Sequence, residues 1–246
     1  MFSADALILR TYKLGEADRI VVFLTRDRGK KRGVAKGARR MKSRFAGALE
    51  PLTEVRLAYF EKERRELVGI NYVETVRSPL MFGHGPAQAG PGNGAQAGPG
   101  DGANAGGDRQ RDVQHQADAL GYVGYFAELL DEWAQDADAD ERLFRLGTSM
   151  LDALSSGAPV EPLARYFEYW LLRLQGVYPE AGGTLSDGAL SFLAASRAIA
   201  PRRVAELPAG RRVLKELEGV HRALISMHLE RSLKSERVLR ELKRHN

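Results

Sequence analysis

The sequence predicts an α+β protein, with β-strands in front and helices behind. Three observations carry that prediction. Residues 1–80 hold short runs rich in Val, Ile, Leu, Tyr and Phe, cut by turn signals. Residues 90–107 contain no large apolar side chain. From about 116 onward, apolar residues recur at three- and four-residue steps, the helical period.

In order, strands are expected at Ala4–Thr11, Ala17–Thr25, Gly29–Lys36, Thr53–Phe60 and Glu66–Glu74. Gly15-Glu16 and Asp27-Arg28-Gly29 read as turns, and Glu-Lys-Glu-Arg-Arg at 61–65 as a charged hairpin tip. Ala38–Gly47 is expected to hold a short helix. Five strands with a helix after the third is the order of an OB-fold, a small barrel that commonly binds single strands or oligosaccharides. An SH3-like barrel is the competitor. Residues 1–80 are therefore read as the barrel, 81–115 as a Gly/Pro-rich flexible linker and 116–246 as an all-α helical domain. Gln-Ala-Gly-Pro-Gly occurs in the linker at 88–92 and again at 96–100, and such a composition cannot bury a core. A phosphate-binding loop there lacks the following Lys-Ser/Thr and a directly preceding strand.

Helices follow from Leu120, Val123, Phe126, Leu129, Leu130 and Trp133, then from Leu143, Phe144, Met150, Leu151 and Leu154. Leu163, Phe167, Trp170, Leu171 and Leu174 mark a third, with Pro159 and Pro162 suiting a turn and a first helical turn. Leu185–Ile199 is a weaker candidate. Val213 to Leu229 is a long amphipathic stretch, and Leu233 to Leu242 close the chain.

The 246 residues are 43% apolar and 28% charged, enough for one or two globular domains and against wholesale disorder. There is no cysteine, which excludes disulfides, Cys-ligated zinc, iron–sulfur clusters and thiol nucleophiles. No apolar stretch approaches the ~18 residues that would cross a bilayer. Met1 to Asp5 show no secretion signal, so a cytoplasmic protein is expected.

Charge is unevenly placed. Ten cations lie within 26–44: Arg26, Arg28, Lys30, Lys31, Arg32, Lys36, Arg39, Arg40, Lys42 and Arg44, against Asp27 alone. Such a field attracts polyanions. Strand alternation puts Lys30, Arg32, Val34 and Lys36 on one face, and Gly37 lets the backbone turn beyond them. Tyr12, Phe45, Tyr59, Phe60 and Tyr72 offer stacking surfaces, although core positions are the expectation for them. Residues 118–141 carry eight acids and no base, and are expected to form a solvated acidic loop at 128–141. Residues 211–246 turn basic again.

Enzyme signatures are sparse. There is no Gly-x-Ser-x-Gly, His-Glu-x-x-His or Walker loop. His221 and His228 lie seven apart on one helix face and are read as half-exposed, with a shared metal or phosphate as the alternative. A hydrolase using the 131–141 carboxylates with a divalent metal is the remaining enzymatic reading. No cofactor is expected.

At this point the residues resemble a known family. The carriers are Ala6-Leu7-Ile8-Leu9-Arg10, Gly15-Glu16-Ala17-Asp18, Leu24 to Lys30, Ala35-Lys36-Gly37-Ala38-Arg39-Arg40 with Lys42-Ser43-Arg44, and Leu49-Glu50-Pro51-Leu52. Leu171 to Pro179 and His228 to Leu239 add weaker matches. Together they resemble RecO, the bacterial recombination mediators of DNA repair. The resemblance implies an N-terminal OB domain followed by a helical domain. It implies binding of single- and double-stranded DNA, annealing of complementary strands and no covalent catalysis. The implied partners are RecR and single-stranded DNA-binding protein, with RecA loaded onto strands that the latter coats. Lys36 and Arg39 match the family's DNA-contacting Lys-Gly-x-Arg block. Arg28, Lys30, Lys31, Arg32, Arg40, Lys42 and Arg44 are their candidate neighbours. Arg211, Arg212, Lys215 and Arg222 are candidates for the acidic tail of the single-stranded DNA-binding protein. Many relatives carry four zinc-binding cysteines after the Tyr-Pro stretch, and Glu180–Ser196 has none. The alternative is an RNA- or ribosome-associated OB protein.

Overall fold

The computed structural model describes residues 1–61, 66–79, 105–179, 185–229 and 233–244; for 105–116, 240 and 242–244 it describes the backbone alone. The five expected strands are present: β1 (Phe2–Leu14), β2 (Asp18–Thr25), β3 (Gly29–Ala35), β4 (Glu54–Phe60) and β5 (Val68–Arg77). They close a barrel in the order β1-β2-β3-β5-β4, antiparallel except where β3 meets β5 through Gly33, Val34 and Ala35. A register shift between Ile8 and Arg10 bends the long β1 so that it pairs with β2 on one side and β4 on the other. Ala6, Ile8, Val21, Phe23, Ala35, Phe45, Leu57 and Tyr59 fill the barrel.

The expected helix at Ala38–Gly47 does not form. The segment is a chain of turns, with N–H groups of Arg40, Ser43, Ala46 and Ala48 each bonded to the carbonyl three residues earlier. Gly37 and Gly47, both at positive φ, close it at either end, and Ser43 accepts the Phe45 N–H on its side-chain oxygen at 3.2 Å. These local bonds take the donors that an α-helix would direct to the fourth residue back.

Behind the barrel lie α1 (Ala105–Trp133), α2 (Glu141–Ser155), α3 (Val160–Leu174), α4 (Asp187–Ser196), a 3-10 segment at Pro201–Glu206, α5 (Arg211–Leu229) and α6 (Lys234–Arg244). The Asp140 carboxylate caps α2 by accepting from the Leu143 N–H at 3.0 Å. The helical region starts at Ala105, so the linker expected at 81–115 ends eleven residues early. Residues 105–118 carry Val113 as their one large apolar side chain, which hides the helical period. The flexible-linker expectation for 81–104 lies outside the described residues, as do residues 62–65 of the charged tip expected at 61–65.

Barrel and helices share a core. Leu7, Leu9, Val22, Leu24 and Leu52 point outward from the barrel and join the cluster of Phe126, Leu130, Leu143 and Leu151. At about 1.5–3 kcal/mol per buried aliphatic side chain, these five hold the barrel on the helices. Among the described residues no helix is long and apolar enough to cross a membrane.

Candidate nucleic-acid interface

The cations of 26–44 separate into two groups with different partners. The first group faces the helical domain. The Arg26 guanidinium grips Glu141 through Nε and Nη2 at 3.0 and 2.7 Å. That hydrogen bond holds the Glu141 carboxyl below its ordinary range and raises Arg26 in turn. The Lys30 Nζ donates to the Asp131 carbonyl oxygen at 2.7 Å and lies 3.5 Å from its carboxylate. Arg10 meets the same carboxylate at 2.6 Å. Arg32 lies 3.8 Å from Asp136. The acidic segment also docks by backbone: Lys30 N–H donates to Gln135 C=O, and Ala137 N–H to Lys30 C=O, both at 3.1 Å. Gly29 permits this approach, since a Cβ there would lie 2.3 Å from the Asp138 carbonyl oxygen.

The expectation of a solvated acidic loop is therefore corrected. Asp131 is only 4% exposed, and Asp131, Asp136 and Glu141 act as counter-charges that seat the barrel, whereas Asp138 stays exposed. Among the described residues no three His, Asp or Glu side chains converge as metal ligands.

The second group projects into solvent from the 36–44 segment. Asp18 Oδ1 accepts the Gly37 N–H at 2.8 Å, at a left-handed φ that glycine takes without strain. The Arg39 N–H donates to Ala17 C=O at 2.9 Å, and Arg39 Nη1 to Gly15 C=O at 2.7 Å. Phe45 plugs the barrel core. The loop is thus pinned at both ends while Lys36, Arg39, Arg40, Lys42 and Arg44 stay exposed. Among the described residues Lys36, Arg40, Lys42 and Arg44 have no acidic partner; Arg44 lies over the Phe45 ring at 4.9 Å. Five fixed cations on a pinned loop form a band that phosphates fit.

Not all sequence candidates join this band. Lys30, at 11% exposure, and Lys31, bonded to Glu61 at 2.9 Å, serve ion pairs of the fold instead. Arg28 pairs with Asp27 at 3.6 Å and covers Phe2. Arg32 shares the outer face of β3 with Lys30 as alternation requires, yet stays 55% exposed beside Asp136. Phe45 and Tyr59 are core as expected, whereas Tyr12, Phe60 and Tyr72 are exposed. Lys13 and Arg19, paired across β1 and β2 beside the Gly15 turn, are cations that the sequence reading missed. Arg19 is the lone cation of β2 and Lys13 shares β1 with Arg10 alone, so no local cluster marked either.

The helical candidates also divide. Arg211 and Lys215 line a groove of about 310 Å³ with Arg165, Leu214, Tyr122, Glu161 and Glu218. Arg222 is bound to Glu218 at 2.6 Å, and Arg212 lies off the groove, near Glu216. His221 is buried rather than half-exposed. Its Nδ1 lies 2.9 Å from Glu168, which also accepts from Tyr125 and Arg165. His228 instead stacks on Trp133, apart from the His221–Glu168 pair.

With this geometry in view, the comparisons decide the family. Residues 1–79 match the profile "Recombination protein O N terminal" and residues 114–182 match "Recombination protein O C terminal". A protein of a Nocardioides species named DNA repair protein RecO is 35% identical, with 96% of this chain and 97% of that one aligned. The chain belongs to the RecO family. A Koribacter versatilis RecO is 36% identical over 72% of this chain. The alignment spans 59% of the Koribacter protein and 63% of an Anaeromyxobacter RecO that is 32% identical. A Bifidobacterium adolescentis RecO is 50% identical over 76 residues, 31% of this chain. The two RecO profiles leave 80–113 unmatched, the stretch containing the Gly/Pro repeats.

Proposed function

We propose that this chain is a DNA-binding recombination mediator of DNA repair that holds strands on the 36–44 band and anneals them without covalent chemistry. The observation that carries the reading is a pinned loop bearing five exposed cations, while Lys30 and Lys31 of the same basic stretch are engaged in ion pairs. Annealing requires two repelling phosphate chains to be neutralised while base edges stay free. Contacts from Lys36, Arg39, Arg40, Lys42 and Arg44 to phosphates do this with little sequence preference. Arg28 and Arg32 lie at the edge of the band and add field rather than fixed contacts.

In this reading the protein works in the cytoplasm with RecR to load RecA onto strands coated by single-stranded DNA-binding protein. The coat's acidic tail docks on the helical domain, in the groove bordered by Arg211, Lys215 and Arg165. The deciding experiment is annealing of complementary strands coated with that protein, with and without its last nine residues. Accelerated annealing that depends on the tail supports the reading. Annealing at the spontaneous rate with either coat refutes it. A pull-down of RecR, together with preference for single-stranded DNA over RNA in competition, separates this function from an RNA-binding one.

A further inference from the structure

The barrel's outer face carries an apolar strip that the helical domain leaves uncovered. Strand register defines it. Tyr12 of β1 pairs with Ile20 of β2, Ile20 with Val34 of β3, and Val34 with Gly69 of β5. All lie on the face opposite the barrel core, since Val21, Ala35 and Ile70 point inward. Phe60 of β4 pairs with Gly69, and the tip of its ring rests on that glycine: a Cβ at Gly69 would lie 2.1 Å from Phe60 Cζ. The strip thus crosses the sheet from Tyr12, 43% exposed, to Phe60, 37% exposed, over half-buried Ile20 and Val34. Three strand spacings make it roughly 14 Å wide from Tyr12 to Gly69.

Cations border the strip on both sides. The neighbouring row, one pleat toward the helices, is Arg10, Val22 and Arg32. The Arg10 guanidinium lies 5.0 Å from the Tyr12 ring centroid and fixes one side of that ring. On the other side, Lys36 follows Ala35 directly and leads into Arg39 and Arg40. An exposed aromatic strip between cations matches a ligand whose flat apolar groups alternate with anions. An unpaired nucleic-acid strand has that chemistry, because each base offers a π-face and each linkage a charge. A duplex does not, because its bases are stacked on one another.

We propose that the strip from Tyr12 to Phe60 is the base-stacking floor of the DNA site. A single strand lies with phosphates on Lys36, Arg39 and Arg40 and with unpaired bases on Tyr12 and Phe60. Stacking leaves the Watson–Crick edges of those bases open to an incoming complementary strand. The proposal rests on the band binding DNA, and the test separates the two claims.

The test compares three labelled ligands of equal length by fluorescence anisotropy: an oligothymidine, an abasic strand and a hairpin duplex. Tyr12→Ala is expected to weaken oligothymidine binding about tenfold. It is expected to leave the abasic strand, the duplex and the salt dependence unchanged. Tyr12→Phe should restore binding, and Phe60→Ala should repeat the selective loss. Tyr12 is a surface residue, so an unchanged thermal midpoint accompanies the result. Equal loss on all three ligands, or no loss on oligothymidine, overturns the stacking floor. So does a change in self-association by sedimentation with DNA binding intact, which would assign the strip to a protein contact. Lys36→Glu with Arg39→Glu, run in parallel, should lose all three ligands. If that double variant binds normally, the band reading fails whatever Tyr12 shows.

Discussion

Replacing Lys30 by Met and, separately, Arg40 by Gln is expected to separate two uses of positive charge that the sequence places ten residues apart. The Lys30 ammonium gives one charge-assisted hydrogen bond to the Asp131 carbonyl at 2.7 Å and sits 3.5 Å from a carboxylate that is 4% exposed. Losing a hydrogen bond from a charged group costs about 1.5–3 kcal/mol. Orphaning a buried ion costs about 3–5 kcal/mol, but Asp131 keeps Arg10 at 2.6 Å, so that full penalty is not reached. Met preserves the packing of the stem, which leaves about 2 kcal/mol of destabilisation from the lost bond. For a chain of this size that lowers the thermal midpoint by about 4–8 °C. Arg40 is exposed with no acidic partner among the described residues, so its variant should melt with the wild type. Its effect belongs in binding. If the five band cations each contact a phosphate, the log–log salt slope on single strands is about −3.5, and Arg40→Gln makes it shallower by about 0.7. Lys30→Met should leave the slope alone. Thermal unfolding by circular dichroism and anisotropy titrations across salt read both quantities. A Lys30 variant with a wild-type midpoint and a slope shallower by a full contact would refute the division.

Three further outcomes follow from the same geometry. Asp136→Asn removes an exposed anion 3.8 Å from Arg32, so it should raise single-strand affinity at low salt, an advantage that screening erases as salt rises; an unchanged or lower affinity at low salt would count against the placement of Arg32 beside the band. Gly29→Ala forces a side chain into positive φ and against the Asp138 backbone, and should destabilise by more than about 1 kcal/mol in denaturant unfolding. Asp152 is held below the ordinary carboxylate range by the hydrogen bond from Arg202, helped by Arg77. Its folded pKa is thus lower than its unfolded one, so its contribution is complete above the unfolded value of about 3.9 and is lost as pH falls through the folded value. Unfolding followed from pH 7 downward should show a smaller acid loss for Asp152→Asn than for the wild type.

The strands were legible because their runs were short and bounded by turn residues. What alternation could not show was that β1 and β2 bury both faces. Leu7, Ile8 and Leu9, and likewise Val21 to Leu24, read as continuous apolar runs because Leu7, Leu9, Val22 and Leu24 face the helices while Ile8, Val21 and Phe23 face the barrel core. That doubled burial was the available sign that the two halves pack together. The cationic stretch was legible as a field but not as a site. Lys30 and Arg32 are equivalent by alternation, yet they differ because Asp131 and Asp136, about a hundred residues away, dock on one more closely than the other. The acid-rich, base-free run at 118–141 carried that information as a complement to the basic run. His221 read as half-exposed because its partner Glu168 lies on another helix. Tyr12 and Phe60 were legible as possible stacking surfaces, but that they are exposed and share one strip with Ile20 and Val34 was not, because the four come from four strands and meet only through register.

The central claim is that the pinned 36–44 loop, and not the basic stretch as a whole, holds anionic strands. Reversing Lys36, Arg39 and Arg40 to Glu together, then measuring single- and double-stranded DNA binding beside thermal unfolding, tests it most directly. The account predicts a protein that melts with the wild type and has lost most of its affinity for both forms of DNA. A folded triple variant that binds DNA as tightly as the wild type would contradict it.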